Sequence, residues 1–322
     1  MTAIVEATKG NILKAARLIN QGKIVAFPTE TVYGLGANAF NADAVARIFE
    51  VKRRPRFDPL IVHIAHFKSL SQVAETVPKE AEALMERFWP GPLTLVLRKN
   101  RGLPDLVTSG LPTVAVRMPS HPVAISLISL ADTPIAAPSA NPFGSLSPTE
   151  AAQVAQGLKY GVDLILDGGP CSVGIESTIL KLDGGQAYLL RPGGIPLEDL
   201  EKAAGRKIYM RASSIIEAPG SSPTHYAPRT PLLLVKPGQF PRELKGRKLG
   251  LLAFSEPHHE ESFKAVQVLS PSGDLMEAAK NFFTSLFWLD AQGLDFILAE
   301  EPPLKGLGLA IMDRLKKGAK RK

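Results

Sequence analysis

KIVAFPTETVYGLGANAF, residues 23–40, carries the first decision about the fold. Its opening five residues are a β-prone run that Pro28 stops, because proline has no N–H to give to a sheet ladder. Thr29, Glu30, Thr31 and Tyr33 follow, then Gly34 and Gly36, ahead of a helical pattern at 42–52 with Val45, Ile48 and Phe49 at core spacing. Open α/β sheets place ligands where a strand ends in such a loop. The same residues would also make an ordinary strand-to-helix turn, with capping hydroxyls and a buried tyrosine.

Outward from that stretch, helical and strand patterns alternate. Residues 11–21 and 78–88 read as amphipathic helices. LIVHIA (60–65), LTLVL (93–97), TVAVR (113–117), PIAAP (134–138), LIL (164–166), STILKL (177–182) and AYLLR (187–191) read as strands. This is an α/β, mixed-sheet pattern of roughly 205 residues. A stretch rich in Pro, Ser and Ala at 211–231 then interrupts it, too long for an ordinary loop inside a domain. Strand patterns restart at 232 and recur at 248–254, 265–270 and 295–300, with helices at 273–292 and 308–317, which is a small doubly wound pattern. At 322 residues the chain is long enough for two domains.

Composition excludes several classes. One cysteine, Cys171, rules out an intrachain disulfide and any site of two or more thiolates. The uncharged run VAISLISLA at 123–131 is far shorter than the ~20 residues of a spanning helix, and Glu6 and Lys9 stand where a signal peptide would be apolar. The expectation is a cytoplasmic protein with no membrane partner. The net charge is +7, but Lys316, Lys317, Lys320, Arg321 and Lys322 lie in the last seven residues, so the body is nearly balanced. That tail reads as a frayed, solvated end or as a weak arm for RNA. No phosphate-binding loop of the G-x-x-x-x-G-K-[ST] type is present.

Four places carry residues suited to chemistry. The loop at 28–40 is one. Lys52, Arg53, Arg54 and Arg56 form a basic cluster suited to a polyphosphate, a solvated surface or a nucleic-acid patch. Arg117 ends an apolar strand, where a buried guanidinium wants a carboxylate from the protein or from a substrate. Ser139, Asn141 and Ser147 sit in a proline-punctuated loop just beyond. Arg191 repeats the Arg117 pattern, behind Ser177 and Thr178.

Taken in order, PTETVYGLGANAF, the K-x-R pair Lys52 and Arg54, PLIVHI, WPGPLT, VAVRMP, APSAN, GIESTI and LLRPGGI resemble the YrdC-like family across most of residues 15–200. HYAP at 225–228 and the later GLGLAIMDRL resemble its long form, the L-threonylcarbamoyl-AMP synthases. The resemblance implies a YrdC-like twisted mixed-sheet catalytic domain with a central cleft at 1–208, a linker or lid at 209–231, and a Rossmann-like doubly wound domain at 232–322. It implies synthesis of L-threonylcarbamoyl-AMP from L-threonine, bicarbonate or CO2, and ATP, with release of pyrophosphate. The product would feed a tRNA-modifying transferase complex that makes threonylcarbamoyladenosine.

By the same resemblance, Lys52 and Arg54 are the catalytic cations. Lys52, Arg54, Asp58, Thr113, Ser139, Asn141, Ser147, Arg191 and Tyr226 would contact ATP. Thr31, His63, Arg117, Ala137 and Ser177 would hold threonine. Magnesium would be held mainly by the ATP phosphates, and residues 218–228 with Tyr226 would form a lid. Two departures stand out. Ser222, Pro223 and Thr224 replace basic and aromatic linker residues, and Asp58 stands where asparagine is common and could pair with a neighbouring arginine. An RNA-binding module without threonine-dependent activity is the alternative. A carbamoyl-transfer maturation factor with cysteine-rich zinc segments is excluded by the single cysteine.

Overall fold

A computed structural model describes residues 2–210, 218–220, 225–257 and 262–320. Ser222, Pro223, Thr224, Arg321 and Lys322 lie outside the described residues. Two sheets organise the chain. The strands of the first are β1 (Ile4–Glu6), β2 (Val25–Phe27), β3 (Gly34–Asn38), β4 (Ile61–His63), β5 (Ala74–Thr76), β6 (Leu93–Lys99), β7 (Thr113–Arg117), β8 (Ile135–Ala136), β9 (Leu164–Asp167), β10 (Thr178–Asp183), β11 (Gln186–Arg191) and β12 (Ile208–Met210). Their order is β1-β9-β2-β3-β8-β4-β7-β6-β10-β11-β12, with β5 paired to β6. The sheet is mixed: β4 runs parallel to β7, and β6 antiparallel to it. Around it lie α1 (Lys9–Asn20), α2 (Ala42–Lys52), α3 (Leu70–Val73), α4 (Lys79–Phe88), α5 (Asp105–Thr108), α6 (Pro122–Ala131), α7 (Ala151–Gly157) and α8 (Leu197–Ala204).

Two elements correct the sequence reading. GLGAN is strand β3 of a hairpin with β2, where a turn was expected. Gly36 serves packing there and not the approach of a ligand. A Cβ on it would stand 2.6 Å from Phe27 and 2.7 Å from Ile135. The apolar run at 123–131 is helix α6, opened by Pro122 and packed on the Ile12, Ala15, Ala16 and Ile19 face of α1. No helix of the described residues is long and apolar enough to cross a membrane.

Helix α2 shows how local sequence aims a functional side chain. Asn41 caps it by accepting from the Ala44 N–H at 3.0 Å. Ala44, Val45, Ile48 and Phe49 form its buried stripe, and Lys52 falls on that stripe one turn later. The helix ends at Arg53, whose φ of 52° reverses the chain. Lys52 and Arg54 therefore point inward, while Arg53 and Arg56 face solvent. The basic cluster is split by geometry.

The second sheet contains β13 (Leu232–Val235), β14 (Leu249–Ala253), β15 (Ala265–Val268) and β16 (Phe296–Glu300), all parallel in the order β13-β16-β14-β15. Its helices are α9 (Leu275–Asp290), capped by Asp274, and α10 (Gly308–Ala319). Both pack on one face of the sheet, in a cluster with Leu252, Ile297 and Ala299. Phe240, Leu244 and Phe263 cover the other face, where a doubly wound sheet would carry a helix. The α9–α10 face also joins Val32, Leu146 and Ile175 of the first domain in that cluster. Gly174 lies so close to α9 that a Cβ would be 2.4 Å from the Lys280 carbonyl oxygen. The described part of the basic tail is not a frayed end. α10 continues to Ala319, and Lys317 Nζ donates to the Gly220 carbonyl at 2.8 Å and to Asp313 at 2.9 Å.

Candidate active site

Strand register builds the floor of a cleft. His63 on β4 pairs with Arg117 on β7, Arg117 with Thr94 on β6, Thr94 with Ile179 on β10, and Ile179 with Arg191 on β11. Directly paired residues share a sheet face, so these five make one transverse row. At ~4.8 Å per strand the row spans about 19 Å. Of this row, His63, Arg117 and Arg191 line the cleft, with an arginine towards each side. The cleft opens above them.

On the Arg117 side the hydrogen bonds can be assigned atom by atom. Thr29 Oγ1 donates to the Val32 carbonyl at 2.7 Å, which uses its only proton. The 2.8 Å contact between Thr29 and Thr31 is therefore donated by Thr31. Thr31 Oγ1 in turn accepts from Arg117 Nη1 at 2.8 Å. Arg117 Nη2 meets Glu30 Oε1 at 2.6 Å, both side chains being at most 5% exposed, and Nε donates to the Gly91 carbonyl. The carboxylate that a buried Arg117 requires is thus supplied by Glu30, from the polar loop. His63 lies beside Arg117 with Nδ1 unpartnered. Burial, aided by the Arg117 charge, pushes its pKa down to about 3, so its imidazole is neutral at physiological pH.

On the other side, Lys52 Nζ donates to the carbonyls of Ser139 and Asn141, both at 2.5 Å, and so braces the S-A-N loop from behind. Burial and the neighbouring Arg54 hold the ammonium pKa well below its usual value. Arg54 donates to the Asp58 and Pro59 carbonyls and pairs with Asp58 Oδ1 at 2.9 Å, so Asp58 is an ion-pair partner. Arg191 gives its donors to neutral oxygens. It reaches the Ser177 carbonyl from Nε and Nη2, Ser177 Oγ at 3.0 Å, and the Pro219 carbonyl at 3.1 Å. Among the described residues, neither Lys52 nor Arg191 has a carboxylate at ion-pair distance. Arg191 on the cleft wall, with Lys52 behind the loop, gives this half of the cleft positive charge with no carboxylate of the described residues at ion-pair distance from either.

Both described ends of a strap, Pro219 with Gly220 and His225 with Tyr226, line the cleft. Tyr226 is 2% exposed with a φ of 63°, a rare backbone state for a non-glycine residue. Its ring lies tilted against His225 with centroids 4.1 Å apart, His225 meets Phe143 edge-on at 5.5 Å, and Arg54 lies 5.9 Å from the Phe143 ring centre. The strap is thereby tied to the basic cluster through aromatic contacts.

Of the residues named from sequence, Thr31, Arg54, His63, Arg117, Ala137, Ser139, Ser177, Arg191 and Tyr226 line the cleft together. Lys52, Asp58, Asn141 and Ser147 stand one layer behind it. Asn141 Nδ2 holds the Pro142 and Ser145 carbonyls, and Ser147 Oγ donates to Glu176 Oε1. Thr113 lies at the far end of β7, on the Arg117 face but away from the lining. Cys171 is buried with its thiol pKa pushed up by burial, an inert group. Sequence reasoning gave no individual role to Glu176, and it included Glu30, Gly220 and His225 only as members of the polar loop and of the lid. Each sits in a quoted string, but only the structure reveals its partner.

A twisted mixed sheet whose arginine-rich cleft is strapped over by a second α/β domain defines a two-domain protein built to hold an anion beside a smaller polar ligand. A family model named Sua5_yciO_yrdC, described as telomere recombination, matches residues 17–193. A second, the threonylcarbamoyl-AMP synthase C-terminal domain, matches 195–320. The threonylcarbamoyl-AMP synthase of Pyrococcus abyssi (strain GE5 / Orsay) is 46% identical over 95% of this chain and 93% of its own length. That of Bacillus subtilis (strain 168) is 44% identical, over 96% and 92%. The crystal structure of P. abyssi Sua5 complexed with L-threonine superposes with a TM-score of 0.91 at 44% identity, covering 99% of this chain and 98% of that one. The chain belongs to the Sua5/YciO/YrdC family, in the form that carries the Sua5 C-terminal domain.

Proposed function

We propose that this protein condenses L-threonine, bicarbonate or CO2, and ATP into L-threonylcarbamoyl-AMP and pyrophosphate. The observation that carries the reading is the charge layout around the cleft: a paired Arg117 beside hydroxyls at one side, and at the other Arg191 without a carboxylate partner among the described residues, with Lys52 behind the loop. Threonine's carboxylate fits the Arg117–Thr31 corner, with His63, the Ala137 backbone and Ser177 around it. The triphosphate fits Lys52, Arg54 and Arg191, with Ser139, Asn141 and Ser147 on its loop side and Tyr226 closing above. The names of the relatives, and the threonine complexed with the solved relative, support the substrates of this reading.

The chemistry needs positioning and charge neutralisation more than proton shuttling. The threonine amine adds to CO2 and loses a proton, forming the N–C bond of a carbamate. A carbamate oxygen attacks the α-phosphorus in line, and the bond to the bridging oxygen breaks as pyrophosphate leaves. His63, neutral with a pKa of about 3, is a hydrogen-bonding group here and a poor base. Carbamates hydrolyse, so a strap that excludes water has a clear use. Magnesium enters with the nucleotide. Glu30, Asp58 and Glu176 are each engaged by an arginine, and no cluster of three metal-binding side chains occurs among the described residues. Phosphate oxygens are its natural ligands. The product is suited to a transferase that modifies tRNA.

The test is pyrophosphate release from ATP with magnesium and bicarbonate, with and without L-threonine, and with L-serine as the specificity control. Release that requires threonine and falls at least a hundredfold in Lys52→Ala and Arg117→Ala supports the reading. Folded protein with no threonine-dependent release refutes it and returns the chain to an RNA-binding role.

A further inference from the structure

The catalytic cleft borrows a charge from the C-terminal domain. Arg314, on α10, is completely buried at 0% exposure. Its Nε meets Glu176 Oε2 at 3.0 Å, across 138 residues of sequence. Glu176 lines the cleft, and its other oxygen accepts from Ser147. Arg314 Nη1 donates to the Pro192 carbonyl, one residue beyond Arg191, and meets Asp313 at 3.1 Å. The guanidinium also lies 5.2 Å from the centre of the Tyr226 ring. One turn on, Lys317 holds the Gly220 carbonyl, and a Cβ on Gly318 would come within 2.9 Å of the Tyr226 carbonyl oxygen. One helix of the second domain therefore touches the cleft wall, the Arg191 corner and both described ends of the strap.

We propose that Arg314 is a positioning residue for the nucleotide side of the site. It neutralises Glu176, which would otherwise present a bare buried carboxylate to the triphosphate, and it backs Tyr226 in its cleft-facing pose. The inference rests on the proposed function and deepens it. The C-terminal domain becomes part of the ATP site. Glu176 accepts from Ser147 and Arg314 reaches the Pro192 carbonyl next to Arg191, both on the proposed nucleotide side, while Arg117 has its own carboxylate in Glu30. Loss of Arg314 should therefore weaken ATP and spare threonine.

The experiment is calorimetric binding of α,β-methylene-ATP with magnesium, and separately of L-threonine, to the full chain. Its P–C–P bridge prevents pyrophosphate release. Arg314→Met should raise the nucleotide Kd at least tenfold and leave the threonine Kd within threefold. Adding Glu176→Gln, which removes the uncompensated charge, should bring the nucleotide Kd back to within threefold of the unmodified protein. A purely structural Arg314 would move both ligands together and show no rescue, and that result overturns the proposal. If Arg314→Met alone does not fold, the double variant carries the test. Folded double variant that binds nucleotide tenfold more weakly also overturns it. The unmodified chain is measured first. Failure to bind either ligand refutes the proposed function itself, whereas binding that the Arg314 variants leave unchanged refutes only the positioning role.

Discussion

Gly220→Ala is the sharpest probe of the strap. Gly220 has a φ of 78°, where an alanine side chain costs about 1–2 kcal/mol. A Cβ there would also stand 2.6 Å from Tyr226 Oη and 3.2 Å from Arg191 Nη1. Relieving that overlap means moving the two groups that face the nucleotide, an overpacking cost of about 1–3 kcal/mol. Under the proposal that the strap closes on the nucleotide, the closed complex carries both strains. The cost therefore appears in binding. Its lower end, about 2 kcal/mol, is about thirtyfold in Kd. Gly110→Ala is the matched control: its φ is also 78°, but a Cβ there meets nothing within 4 Å. It should lower stability by the backbone cost alone and leave nucleotide binding unchanged. Calorimetry with α,β-methylene-ATP measures both. If Gly220→Ala binds the analogue within threefold of the unmodified protein, the strap does not close on the nucleotide and the reasoning is wrong.

Two further outcomes are expected. His63 has a folded pKa of about 3 against an unfolded value near 6.5, so the unfolded chain binds more protons between those limits. Stability therefore falls as pH drops through that window, by about 2–3 kcal/mol between pH 7 and 4.5. His63→Gln should lose that share of the acid sensitivity, and a Tm against pH curve that keeps its full slope would refute the assignment. Chelation of magnesium by EDTA should abolish pyrophosphate release, yet leave the Tm of the nucleotide-free protein unchanged. A fall in that Tm would point to a resident metal.

The fold was legible where burial follows a simple period. Residues 42–52 and 113–117 coincide with α2 and β7, and all four strands of the second sheet appear where the apolar runs predict them. It was illegible where the reason for a residue type is tertiary. Gly36 resembles a loop glycine because glycines commonly make turns, but its partners Phe27 and Ile135 come from two other strands. Helix α6 shows no amphipathic stripe because it is apolar on nearly every side. Lys52 resembles a surface cation until the stripe of α2 is counted through to its end.

The site divides in the same way. Arg117 and Arg191 announce themselves from sequence alone, because a guanidinium at the end of an apolar strand is costly unless something anionic meets it. Which anion is a different question. For Arg117 the protein supplies Glu30, so the charge there is balanced before any substrate arrives, and threonine's carboxylate would share a fork already committed on one side. Arg191 has only carbonyl and hydroxyl partners among the described residues, and its full charge remains for a ligand. Arg314 sends no such signal. It sits among the basic residues of an amphipathic helix, where an arginine ordinarily faces water, and its buried partner lies in another domain. Composition treats these three arginines alike. Their partners make them a balanced corner, a cation without a carboxylate partner among the described residues, and a counter-charge, and under the proposed function that difference suits one cleft to an amino acid at one side and a triphosphate at the other.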